Sequence, residues 1–189
     1  MRRPGFVAGL AGAAAGLSVG AQAQEFASTF KPLTGPDGEV SAIAVRSVLK
    51  DGPAMEGPFQ LSAPVVYAGV SGIAERVTAL RVTDATGELS LTAQDDPAAP
   101  GGFPYFRRWR ADRPVVYPVT LDYVSQVQPA GAPGGPPFGI RPSGGGVSGA
   151  GSGFLVIPEH VRGGRLAVAW DLSELAAGSV GLASFGEGD

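Results

Sequence analysis

The sequence predicts an all-β protein, an antiparallel β-sandwich-like domain with a long Gly/Pro-rich loop and at most short helical turns. Three observations carry this expectation. Apolar and polar residues alternate with a period of two in several stretches, the mark of strands with one buried face. Apolar residues at helical spacing hardly occur. The 189 residues include 30 Gly and 17 Pro, which favour many turns over long helices.

Taken in order, residues 1–23 read as a secretory signal. Arg2 and Arg3 precede a weakly apolar stretch from Phe6 to Val19, and small residues follow at Ala21 and Ala23. Cleavage is expected after Ala23, leaving Gln24 first. The apolar stretch is too short and too rich in Gly and Ala to span a membrane, which takes about 20 strongly apolar residues. Residues 24–38 are expected to be a mobile N-terminal segment, and residues 39–189 the sandwich-like module.

Within that module, "EVSAIAVRSVL" places Ile43, Val45 and Leu49 on one face, and "PFQLSAPVVYAG" is a second strand candidate. "ERVTALRVTDATGELSLTAQ" reads as a hairpin: Val77 to Val82, a turn carried by Asp84 and Gly87, then Leu89 and Leu91 alternating with polar residues. "GFPYFRRWRA" is another short strand. In "RPVVYPVTLDYVSQV" the residues Val115, Tyr117, Val119, Leu121 and Tyr123 share a face. Pro118 cannot donate to a ladder, so this strand is expected at an edge or with a bulge. "GFLVIPE" and "GRLAVAWDL" complete a set of about seven or eight short strands, which favours a sandwich. "SGIAER" is an equivocal helical turn. "WDLSELAAGS" is a better one, with capping-box spacing between Asp171 and Glu174 and Gly178 to terminate it.

Residues 128–153 stand apart as a Gly/Pro-rich stretch that reads as a linker or long surface loop. Phe138, Ile140, Arg141 and Val147 are spaced through it, and a pure spacer has no use for them. The stretch is therefore expected to be a partly ordered loop lying against a partner surface.

The balance of 14 basic against 17 acidic residues argues against broad nucleic-acid or anionic-membrane binding, which reward clustered Lys and Arg. The export signal places the protein in the periplasm or outside the cell, with no stable membrane anchor. With no Cys, disulfides and a lipid anchor at the cleavage point are excluded.

Catalytic chemistry finds little purchase. Hydrolysis by zinc-bound water needs three protein ligands and a base, and the chain has one histidine, His160, with Glu159 beside it. No Ser sits in a nucleophile-elbow context. "SGAGSG" lacks the Lys and the strand-to-helix setting of a phosphate loop. Asp95 and Asp96 precede a Pro in a turn, and Glu187 with Asp189 suit a polar loop. No catalytic, cofactor-binding or metal-ligating residue is therefore assigned.

"FPYFRRWRADR" is the most unusual cluster. Interleaved aromatic and basic residues can bind sugars or single-stranded nucleic acid. In a strand, Tyr105, Arg107 and Trp109 share one face and Phe106, Arg108 and Arg110 the other. The structural reading sends one aromatic row into the core and the arginines to the rim. The functional reading makes Tyr105, Arg107 and Trp109 a binding face for carbohydrate or protein on a stand-alone periplasmic module, and it requires an exposed Trp109.

The segments "LRVTDATGELSLTAQDD", "FRRWRADRPVVYPVTLDY", "PPFGIRPSGGGVSGAGSGFLVIPE" and "LAVAWDLSELAAGSVGLASFGEGD", in that order, resemble the N-terminal region of glycyl-aminopeptidase-type zinc metallopeptidases. The resemblance covers roughly residues 40 to 189 and rests on loose segments rather than a catalytic signature. In that family a β-sandwich-like domain precedes a thermolysin-like catalytic domain, often followed by a PDZ domain. The family's HExxH helix and third zinc ligand match no position here. The resemblance thus implies a non-catalytic module, the front part of a larger exported protein, with zinc and peptidase activity in a catalytic domain after Asp189. Its implied interface with that domain comprises Phe138, Ile140, Arg141, Val147 and Phe185.

Overall fold

A computed structural model describes residues 25–128, 139–161 and 164–184. In chain order the strands are β1 (Glu25–Thr34), β2 (Val40–Leu49), β3 (Gln60–Tyr67), β4 (Val70–Ser71), β5 (Val77–Asp84), β6 (Gly87–Glu88), β7 (Leu91–Asp95), β8 (Tyr105–Ala111), β9 (Val119–Gln126), β10 (Arg141–Ser143), β11 (Gly146–Ser148), β12 (Ile157–Pro158) and β13 (Arg165–Trp170). Among the described residues the only helical pieces are 3₁₀ turns at Ala74–Arg76, Pro100–Gly102 and Gly151–Gly153. The protein is all-β, as the alternation predicts.

One sheet runs β13-β1-β2-β9-β5-β6 and the other β12-β3-β8-β7, with β4 beside β3 and β10–β11 as a separate hairpin. Every pairing is antiparallel except that of β13 with β1. The inner faces meet in one core. Phe26, Phe30, Ile43, Val45, Leu49, Leu121 and Tyr123 from the first sheet pack with Leu61, Ala63, Trp109 and Ala111 from the second. Phe30 meets Phe154 and Trp170 edge to face, at centroid distances of 5.2 and 5.3 Å, a favoured aromatic geometry. Ser28 and Ser47 lie opposite each other in the β1–β2 register. Their hydroxyls are 2.8 Å apart, so two polar groups inside the core satisfy one another.

The registers sort the connections by end. The chain passes between sheets at one end through the β2–β3, β6–β7, β8–β9 and β12–β13 connections. The opposite end carries the β1–β2 turn, the β4–β5 connection and the β10–β11 hairpin. These are called the crossover end and the hairpin end below.

Several expectations need correction. The segment expected to be mobile, 24–38, holds β1, an interior strand whose Phe26 and Phe30 are 5% and 4% exposed. The expected hairpin forms only at its tip, Thr83 opposite Glu88 and Asp84 opposite Gly87. Leu89 is then buried and the chain changes sheet to become β7. Pro118 does not mark an edge: β9 is central, and its ladder begins at Val119, just after the residue that has no N–H to give. "WDLSELAAGS" forms turns. Asp171 accepts from the Ser173 N–H at 3.1 Å and its hydroxyl at 2.6 Å, which favours a turn over a helix, while Glu174 reaches back to Lys31 at 2.7 Å. The expected signal peptide lies outside the described residues.

Candidate functional site

The Tyr105–Trp109 strand is β8, between β3 and β7. Trp109 is 8% exposed and part of the core, and Tyr105 packs against that core. The binding face expected at Tyr105, Arg107 and Trp109 therefore turns inward, because alternation along β8 puts the large indole on the side facing the first sheet. The aromatic row enters the core, as the structural reading of the cluster expects. Arg107 is held by Asp95 through Nε at 2.6 Å and Nη2 at 2.8 Å, with Glu75 3.5 Å away. On the other face Arg108 binds Asp96 at 2.7 and 2.9 Å and also reaches Glu159. The arginine hydrogen bonds hold the carboxyls of Asp95 and Asp96 below their ordinary range. Each forms a two-pronged ion pair rather than a free acid or base.

At the hairpin end, Ile140 is 1% exposed within the module's own core, and Val147 packs against that core. Ile140 is enclosed because the hairpin folds back on the sandwich, while Val147 stays half-buried. Gln128 N–H donates to Ile140 O at 2.7 Å, and Arg141 Nε donates to Gln128 Oε1 at 3.2 Å. A Cβ on Gly139 would lie 2.5 Å from Gln128 Oε1 and 3.2 Å from Arg76 Nη2, so a side chain there would push the Gln128 amide from its place. Arg76 donates from Nη1 to Ser71 O at 3.2 Å. Its Nη2 is enclosed without a partner among the described residues, and burial lowers the pKa of the guanidinium. Phe138 and Phe185 lie outside the described residues, as do Glu187 and Asp189.

At the crossover end two clusters stand out. Asp84 has a fully enclosed side chain. It accepts from Arg113 at 2.6 and 3.1 Å, from Val116 N–H at 2.8 Å, and from the N–H and hydroxyl of Thr86 at 2.8 Å each. The Arg113 hydrogen bonds above all, then the Val116 and Thr86 donors, outweigh desolvation and push its carboxyl far below the usual range. Asp84 was expected only as a turn residue, and no local signal foretold Arg113, 29 positions away.

His160 is half-buried, with Nε2 3.1 Å from the Tyr117 hydroxyl and its ring edge-on to Phe59 at 4.9 Å. Glu159 turns to Arg108 instead, so the two neighbours do not converge on a reacting atom. Among the described residues no group of three His, Cys, Asp or Glu is placed to hold a metal ion. Among those residues the ligand set of a zinc site is therefore missing, His160 being the one imidazole.

The remaining surface feature is the stretch after β13. Asp171 N–H donates to Phe30 O at 2.9 Å, and Gly181 sits directly on the Trp170 ring. Val180 and Leu182 on either side are 75% and 82% exposed. A shallow groove of about 400 Å³ lies near the same strands, lined by Thr29, Lys31, Arg46 and Asp122 among others. Its charges are of both signs and include the Arg46–Asp122 pair at 3.7 Å.

No family model matches the chain, and no curated protein matches it. Among solved structures the chain is similar to part of an aminopeptidase N family protein from Idiomarina loihiensis. The TM-score is 0.48 and the identity 12%, over 76% of this chain and 22% of that one. The chain thus spans about a fifth of that protein's length.

Proposed function

We propose that this chain is a non-catalytic β-sandwich module of an exported zinc aminopeptidase-like protein, and that it positions a catalytic domain following Asp189. The observation that carries the reading is the pair Val180 and Leu182. Both are almost fully exposed on a stretch anchored to the sandwich by the Asp171–Phe30 hydrogen bond and the Gly181–Trp170 contact. Apolar side chains held in place yet open to water suit a protein partner. The ordered segments quoted above supply the partner's class, since they resemble the front part of glycyl-aminopeptidase-type metallopeptidases. In this reading zinc and the reaction belong entirely to the partner domain.

In this reading the contact surface is centred on Val180–Leu182, not on Ile140, which the module uses for its own core. The test is the intact mass of the exported protein in its own cell, detected with an antibody against residues 40–125. A mass far above 19.0 kDa, with chelator-sensitive aminopeptidase activity in the same material, supports the proposal. A mass just below 19.0 kDa overturns it.

A further inference from the structure

Three of the four sheet-to-sheet connections at the crossover end converge on one imidazole. His160 belongs to the β12–β13 connection, Tyr117 to the β8–β9 connection, and Phe59 and Pro53 to the β2–β3 connection. The Tyr117 hydroxyl lies 3.1 Å from His160 Nε2 and donates to Pro53 O at 3.5 Å. His160 stacks edge-on against Phe59, which is 0% exposed. Its Nδ1 is enclosed and has no hydrogen-bond partner among the described residues.

That last contact decides the behaviour. With the Tyr117 proton given to Pro53 O, the neutral imidazole carries its one N–H at Nε2 and donates it to the Tyr117 oxygen. An imidazolium has two N–H groups and needs two acceptors. Among the described residues only that one faces the ring, so the second proton would sit at Nδ1 in an enclosed site, which is costly. We infer that His160 is a pH-sensitive clasp: protonation expels the ring, breaks the Tyr117 link and frees the Lys50–Pro58 connection from the sandwich.

Among the described residues, the charged and titratable groups near the ring are Tyr117, Asp51, Glu159 and Arg108. Tyr117 is itself neutral, with its pKa raised by burial and then by the charge of Asp51. Glu159 is bound to Arg108, which also holds Asp96. Burial lowers the pKa of His160. His160 is the chain's only histidine, the one side-chain type whose ordinary pKa, about 6.5, falls between pH 5 and 8.

The experiment is a proton NMR titration of the full chain from pH 8 to pH 4.5, where a single imidazole signal needs no assignment. Amide exchange of Phe59 and Val161, whose N–H groups donate to Arg113 O and Pro158 O, is followed at pH 7 and pH 5, corrected for intrinsic rates. The expected result is a His160 midpoint below about 6.5, with protection of these amides falling at least about fivefold at pH 5. His160→Gln, which cannot take up a proton, should show the same protection at both pH values. A midpoint at or above the ordinary value, equal protection at the two pH values in the wild type, or an undiminished fall in His160→Gln overturns the inference. If His160→Gln does not fold, the wild-type titration and exchange still decide the matter.

Discussion

Asp84 and Trp109 show how single side chains hold the two sheets together by different physics. Asp84 lies at the end of β5 in the first sheet, and Arg113 and Val116 lie on the connection from the second, so its carboxylate is a joint between layers. Asp84→Ala would leave the Val116 and Thr86 N–H groups without their acceptor, at a cost of about 2 kcal/mol in urea unfolding at pH 7. The sign with pH follows from its depressed pKa. The stabilisation is present above the unfolded carboxyl's ordinary range and is lost as pH falls through it, so wild type and variant should converge in acid. Trp109 contributes through volume instead. Trp109→Ala is expected to cost about 3–5 kcal/mol by opening a cavity, whereas Arg110→Ala, on an exposed neighbour in β8, should stay within about 0.5 kcal/mol. Equal midpoints for the two variants would contradict the burial of the indole.

At the scale of elements, the β10–β11 hairpin shows how a glycine-rich stretch can be ordered. Gly144 and Gly145 both have positive φ, 57° and 81°, the requirement of the tight turn that suits a twisted hairpin. Gly145→Ala should cost about 1 kcal/mol and speed amide exchange at Gly146–Ser148 while leaving β2 and β9 protected. Composition alone hid this element, because what orders it is Ile140 entering the core beside Gln128, a contact between distant parts of the chain. Strands β2, β8 and β9 were legible, since their alternation reports directly which face is buried. β1 was not: its inner face carries Ser28 between Phe26 and Phe30, and only the partner Ser47 makes that position apolar in effect. The helix expected after Trp170 failed because local capping signals do not specify how many turns follow. Of the candidate site residues, Trp109 was legible as a core residue from the alternation of β8. The exposure of Val180 and Leu182 was not, because it depends on Gly181 lying against Trp170.

For the whole molecule, the two clusters at the crossover end imply stability that declines in two separate pH windows. His160 is held neutral by burial, so its contribution is complete above an unfolded pKa of about 6.5 and is lost as pH falls from there to the lower folded value. Below that value its contribution is flat. Asp84, Asp95 and Asp96 all have lowered pKa values, so their stabilisation persists until pH falls below about 4 and then fades toward their folded values. Between the windows the unfolding free energy should level off. Urea unfolding at half-unit pH intervals from 8 to 2.5 would trace this profile. His160→Gln should remove the first decline and leave the second, and Asp84→Asn should shrink the second and leave the first. The two declines should stay separate in pH, because the clusters share no titrating group, although both grip the β8–β9 connection: Asp84 at Arg113 and Val116, His160 at Tyr117. A single continuous decline, or a His160→Gln profile with both steps intact, would show that His160 and the aspartates do not titrate as the separate groups argued above.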